Sequence, residues 1–240
     1  MRFILLLVLM PLAALAQDKA EPRELIGKVG TRQALLILHS APRPDGSWQV
    51  AGEYVVLPTL ARRFIEGERS PELGVTVLKE GATPILFGRP PSAELRGTWR
   101  DGVFKGTRFG PGGQRREEFE FSEEFPSMEQ YSGAVRCEAR EGRYQSRLSL
   151  RVEKGRLKSL DWRAVEPDGQ GCAIGATGQE PLRGGLRFVA GACRVTLRDA
   201  GDYLALSAQN CAAQCGAEAH MDPLLIDRRG NCELLRHGVR

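Results

Sequence analysis

The chain has 240 residues, 34 basic against 30 acidic, and a formal charge of +4. So small an excess is no nucleic-acid footprint, which needs a clustered basic face, and it leaves polyanion binding open. With 42% hydrophobic residues the chain can bury a core, and its length suits one large or two small domains.

In chain order, the first feature is a short basic start, Met1-Arg2, followed by an apolar run from Ile4 to Leu15. Ala14-Leu15-Ala16 is an A-x-A cut site ahead of Gln17. The pattern reads as a secretory signal peptide over 1–16, cut after Ala16 and too short to span a bilayer as a helix. No cysteine follows it to carry a lipid, and no later stretch approaches ~18 consecutive apolar residues. The mature chain, 17–240, is expected in the periplasm or secreted, with no transmembrane segment.

From there the grammar is β. Strands are expected over Ala34 to His39, Trp48 to Val56, Arg63 to Arg69, Gly74 to Glu80, Ala93 to Arg100, Val103 to Arg108 and Glu117 to Phe121. Pro44-Asp45-Gly46, Asp101-Gly102 and Gly110-Pro111-Gly112-Gly113 supply turns. Asp101-Gly102 is a two-residue hairpin signal of the I′ type, which would set Trp99 across from Phe104 or Phe109. Gly52, Gly67, Gly97 and Gly106 fall inside strands, where they mark bulges or sharp bends. Sequential hairpins with strand glycines point to an up-and-down barrel or a strongly coiled sheet.

A polar stretch, Ser122 to Ser127, separates this cysteine-free part from a cysteine-rich part. The expected division is 17–125 and 126–240, two small antiparallel β domains. The first carries 16 basic and 16 acidic residues and the second 17 and 14. In the second, Leu148, Leu150 and Val152 alternate with polar neighbours, as in a half-buried strand. Glu153-Lys154-Gly155-Arg156 turns the chain into Leu157 to Trp162. Leu186 to Val189, Cys193 to Leu197 and Tyr203 to Ser207 follow, the last two joined by the turn Asp199 to Asp202.

Cys137, Cys172, Cys193, Cys211, Cys215 and Cys232 form an even set in an exported chain, so three structural disulfides are expected. Six cysteines allow 15 connectivities. Loop geometry favours Cys172 with Cys193, Cys215 with Cys232, and Cys137 with Cys211. The one close pair is C-x3-C, and His220 stands five residues after Cys215, which is not zinc spacing. C-x-x-C, the redox signature, is absent.

VAGEYVV, FIEGER, VTVLKE, LRGTWR and FEF fall in an order that resembles a recurrent exported bacterial β-domain, with no settled activity, built as a meander of strand–glycine–turn units. The second half resembles small disulfide-stapled periplasmic domains. Its opening, YSGAVRCEA, is similar to the Y-x-C start of C-type lysozyme inhibitors. The inhibitors' later S-G-x-x-Y stretch and aromatic–lysine–glycine segment have no counterpart, so no inhibitory residue carries over. The resemblance implies a non-catalytic protein that binds an envelope enzyme.

Catalytic signatures are missing. There is no G-x-S-x-G, H-E-x-x-H, P-loop or G-x-G-x-x-G. His39 adjoins Ser40, but strand neighbours face opposite ways. His220 lies near a turn and His237 in a polar tail. The acidic run Glu117, Glu118, Glu120, Glu123 and Glu124 reads as a solvated strand face and linker, since a glycosidase needs carboxylates set across a cleft. Arg115-Arg116, just before the acidic run, is placed for cross-strand ion pairs worth little, and Arg62-Arg63 and Arg228-Arg229 read as turn-flanking surface charge. Trp48, Trp99 and Trp162 read as packing residues. No catalytic residue, metal ligand or cofactor is assigned. The functional expectation is an exported binding protein of the cell envelope, an inhibitor of an enzyme such as lysozyme, with contacts from Gly175 to Gly185 and Arg43 to Ser47. The alternative is an envelope hydrolase whose site is assembled from distant residues.

Overall fold

The computed structural model describes residues 22–70, 74–83, 90–114, 116–216 and 221–235. The segment read as a signal peptide, His220, His237 and Arg115 lie outside them. The fold is all-β: an eight-stranded barrel followed by two face-packed sheets.

The barrel comprises β1 (Arg23–Val29), β2 (Arg32–Pro42), β3 (Trp48–Val56), β4 (Ala61–Ser70), β5 (Val75–Gly81), β6 (Ala93–Arg100), β7 (Val103–Phe109) and β8 (Arg116–Ser122). Each strand pairs antiparallel with the next, and β1 pairs with β8 to close the barrel. The Asp101-Gly102 hairpin forms as expected, with both residues at positive φ (51° and 76°). It sets Trp99 opposite Phe104, and the two rings stack at 4.9 Å.

Alternate side chains fill the barrel. Leu25, Leu36, Ile65, Leu78, Leu95, Phe104 and Phe121 are fully buried there. Burying each such side chain is worth about 1.5–3 kcal/mol. The strand glycines sit in uninterrupted ladders, so the expected bulges are absent at these positions. They are close-approach points instead. A Cβ on Gly67 would lie 1.9 Å from the carbonyl oxygen of Val77. One on Gly97 would meet the rings of Phe119 and Phe104 at 2.7 and 2.8 Å.

Part of the interior is polar. Glu80, fully buried, accepts hydrogen bonds from Tyr54 Oη (2.7 Å), Arg108 Nε (2.7 Å) and Arg108 Nη2 (2.8 Å). Arg63 Nε lies 3.5 Å from it. Arg108 Nη1 also donates to Glu117 at 2.8 Å. Burial, then the charge of Glu80, raises the Tyr54 hydroxyl above its usual range. The hydrogen bond to Glu80 raises Arg108. Arg62 is not free surface charge, since it forks onto buried Glu53 at 2.9–3.2 Å, while the Arg63 side chain stays 39% exposed.

The second part has a four-stranded sheet of β9 (Gly133–Glu141), β10 (Tyr144–Glu153), β11 (Arg156–Val165) and β12 (Gly171–Gly175). The other sheet has six strands: β13 (Gly178–Glu180), β14 (Leu186–Ala190), β15 (Cys193–Asp199), β16 (Tyr203–Gln209), β17 (Leu224–Asp227) and β18 (Cys232–Leu234). A four-residue helix, α1 (Ala212–Cys215), precedes β17. The sheets share one core containing Tyr144, Leu148, Leu150, Trp162, Ile174, Phe188, Leu197 and Ile226. Trp162 is fully buried, and its Nε1 donates to Ser146 Oγ at 2.9 Å.

Three disulfides close, and their pairing corrects the expectation. Cys137 joins Cys232, Cys172 joins Cys215, and Cys193 joins Cys211. Chain proximity suggested Cys172 with Cys193, but the two lie on different sheets. The first observed bridge ties β9 to β18 across the two sheets, and the second ties β12 to α1. The third closes the end of the β15–β16 hairpin.

Barrel and sandwich share an apolar seam. Leu35 and Ile37 of β2 and Val55 of β3 face outward onto Ala205 of β16 and Leu225 of β17. Phe125, from the connecting segment, and Leu57, Ala200 and Leu235 complete it. Tyr203 Oη donates to the Pro58 carbonyl at 3.3 Å across the seam. Among the described residues no helix is long and apolar enough to cross a membrane.

Candidate functional site

Two polar clusters flank the seam. The first centres on Glu53, which is 2% exposed and points outward from β3. Burial pushes its carboxyl up to about 7, although Arg62 opposes the rise; the charges of Asp222 and Glu141 add to it. A carboxyl poised near 7 beside other carboxylates has the proton affinity of a general acid. Its access is wrong for that role. Glu53 and Asp222 are each 2% exposed, and Arg62 forks over the Glu53 oxygens. The Asp222 amide is itself tied to Tyr144 Oη at 3.0 Å.

The second cluster lines an open cleft of about 540 Å³ between barrel and sandwich. The start of β1 contributes Arg23 and Glu24, the β6–β7 hairpin Asp101 and Gly102, and the connecting segment Glu123 and Glu124. The sandwich contributes Arg183, Arg187, Thr196, Arg198 and Gln209.

Three of the four arginines are committed. Arg198 Nε donates to Glu24 at 3.0 Å, and its Nη1 donates to the Arg183 and Gly184 carbonyls at 3.3 and 3.2 Å. Its guanidinium also covers the Phe125 ring at 4.5 Å. This residue stitches β1, the connecting segment and β15 together. Arg23 pairs with Glu123 at 3.3 Å and lies over Trp99, while Arg183 pairs with Glu124 at 2.6 Å. Both of these pairs are exposed, where such contacts contribute little.

Arg187 differs. It has no ion-pair partner among the described residues, and its buried Nε makes no hydrogen bond. Strand register places it in a row with Thr196 and Ser207, on the sheet face opposite the sandwich core. Thr196 and Ser207 are 6% and 8% exposed, and Ser207 Oγ also lacks a partner. Leaving such groups buried and unmatched costs about 1–3 kcal/mol each, more where charged.

The residues considered from sequence scatter. The β2–β3 ladder pairs Ser40 with buried Val50 and His39 with Ala51, so the two side chains face opposite ways as expected. The acidic run separates by alternation. Glu117 turns inward to Arg108, Glu118 accepts from Thr107 at 3.1 Å, and Glu120 lies 3.9 Å from Lys105. Only Glu123 and Glu124 reach the cleft. Arg116 lies over Phe109, and Arg228 pairs with Asp199 at 2.6 Å. Trp48 is 36% exposed at the β2–β3 hairpin. The Arg43 to Ser47 turn is held by Asp45 Oδ1, which accepts from the Ser47 amide (2.9 Å) and hydroxyl (2.6 Å). In the Gly175 to Gly185 segment, Gln179 donates to the Gly155 carbonyl at 2.7 Å, and Arg183 alone reaches the cleft. Arg187 and Thr196 were not singled out in the sequence; a strand arginine facing a sheet's polar side carries no local signal.

Among the described residues no group of three or more His, Cys, Asp or Glu is placed to hold a metal ion. All six cysteines are in disulfides, which suits an oxidising compartment. No family model matches the chain, and no curated protein or solved structure matches it.

Proposed function

We propose that this chain is an exported, non-catalytic binding protein of the cell envelope, and that the cleft between barrel and sandwich is its binding site. The observation that carries the reading is Arg187, a partly buried cation with no ion-pair partner among the described residues, in an open cleft whose other arginines are paired. A group kept unmatched at a cost to stability marks a place where a ligand is met. The sandwich wall is built on β14, β15 and β16, and Arg198 ties it to β1, so that side of the site is pre-formed and loses little entropy on binding. Three disulfides support work outside the cytoplasm, and the basic–apolar–A-x-A start at 1–16 supports export to the periplasm or beyond.

The specific partner proposed is an envelope-acting enzyme such as lysozyme, which the protein would inhibit; the support is the likeness of the YSGAVRCEA opening. The alternative, a hydrolase, draws on Glu53 with its carboxyl near 7. A carboxyl 2% exposed under an arginine fork offers a substrate no approach.

The test is a lysozyme cell-wall lysis assay with residues 17–240 made in an oxidising compartment, a reduced sample serving as control. Saturable inhibition that disappears on reduction is the expected result. No effect on several lysozyme types removes the inhibitor reading.

A further inference from the structure

We propose that the cleft is a carboxylate-binding site centred on Arg187, taking a carboxylate carried on a peptide chain. This rests on the cleft being the binding site and adds the chemistry of what enters it.

Charge matching comes first. The cleft holds four arginines and four carboxylates, but the pairs Arg23–Glu123, Arg183–Glu124 and Arg198–Glu24 use three of each. Arg187 is left on the sandwich wall, and Asp101 on the hairpin tip is the fourth carboxylate, with no ion pair to it. One uncompensated guanidinium calls for one negative charge. Four carboxylates around the same cleft repel a ligand with several, such as a phosphate ester or a polyanion.

Geometry narrows the class. A guanidinium offers a planar fork that matches the two oxygens of a carboxylate. Beside it in the same row stand the Thr196 and Ser207 hydroxyls, on strands about 4.8 Å apart. Ser207, next in the row, is buried behind Thr196 and does not line the cleft. The Thr196 hydroxyl, which lines the cleft beside the one cation, can add a hydrogen bond to a carboxylate oxygen without adding charge. The volume, about 540 Å³, suits a small group rather than a folded surface. Two sources present this chemistry: a free chain end, or a glutamate or aspartate side chain.

The experiment uses the full mature chain, disulfides intact and ¹⁵N-labelled, with arginine Nε–Hε and backbone amide signals followed by NMR. The probes are N-acetyl-Ala-Ala as the free acid, the same dipeptide as its carboxamide, N-acetyl-glutamate carboxamide, and inorganic phosphate. A saturable shift at Arg187 and Thr196 with either carboxylate, and none with the dipeptide carboxamide, is the expected result. Which carboxylate binds tighter identifies the source. Arg187→Gln is expected to weaken binding at least tenfold, and Arg187→Lys to recover only part of it because the fork is lost. As a folding control, Arg187→Gln should unfold at the same or a higher urea concentration than the parent. Equal binding of acid and carboxamide, tighter binding of phosphate, or unchanged affinity in Arg187→Gln each overturns the proposal. So does the absence of any saturable shift. Lysozyme inhibition that survives Arg187→Gln would sink the carboxylate site and leave the binding-protein reading standing.

Discussion

Glu53 and Arg187 are both charged groups set against the seam, and they solve burial in opposite ways. Glu53 has a forked partner in Arg62, yet burial and the nearby Asp222 and Glu141 hold its carboxyl at about 7. In the unfolded chain the same carboxyl titrates near 4.5. Between those values the folded state keeps a proton that the unfolded state releases, so stability falls as pH rises through the window. The full penalty is present above about pH 7 and is on the order of 3 kcal/mol. Urea unfolding at pH 5 and pH 8 should show the parent losing stability and Glu53→Gln losing much less. An equal loss in both would assign the pH dependence to other groups. Arg187 has no ion-pair partner among the described residues and is therefore the residue read as functional.

The strands show how glycine shapes a closed sheet. Gly67 and Gly97 sit where strands press together inside the barrel, so their missing side chains permit the curvature. Gly67→Ala would force a Cβ to 1.9 Å from the Val77 backbone oxygen and should cost about 3 kcal/mol. Gly171→Ala, on β12 with its nearest neighbour at 3.8 Å, should be within about 0.5 kcal/mol of neutral. Equal costs at the two sites, measured by urea unfolding, would refute the close-approach explanation. Strand β1 was missed in the sequence for a related reason. Its inward positions are Leu25, Gly27 and Val29, and glycine in the middle erases the alternation. β9 was missed because its residues are mostly exposed, and β17 and β18 because four and three residues are too short for a period to show.

At the scale of the whole molecule, two disulfides link distant pieces and the third closes one hairpin. The Cys137–Cys232 bridge spans 95 residues and the Cys193–Cys211 bridge 18. Loop-closure entropy makes removal of the first, by Cys137→Ser with Cys232→Ser, cost about 4.7 kcal/mol, and removal of the second about 3.2 kcal/mol. Urea midpoints of the two double variants should fall in that order. The reverse order would mean that native contacts around Cys193, rather than chain entropy, carry the difference. The seam matters at this scale too, because the cleft exists only while barrel and sandwich stay together. Arg198, bonded to Glu24 and stacked on Phe125, holds the cleft wall in place.

The sequence by itself determined the β class, the order of the barrel hairpins and the Asp101-Gly102 turn, because alternation and turn chemistry are local. It also held a sign of the seam. Residues 34–38 (ALLIL) are apolar without alternation, as a strand buried on both faces must be. Only the tertiary structure decided the disulfide pairing, since which sheet edges meet depends on packing and not on spacing. Packing also decided the site. Arg187, Thr196 and Ser207 lie nine and eleven residues apart along the chain and become a row only when three strands take their register. Arg62 reads as surface charge until the fold sets buried Glu53 against it, and Arg63 gains an ion pair with buried Glu80. Ion pairing of this kind is non-local, and no window of the sequence contains it.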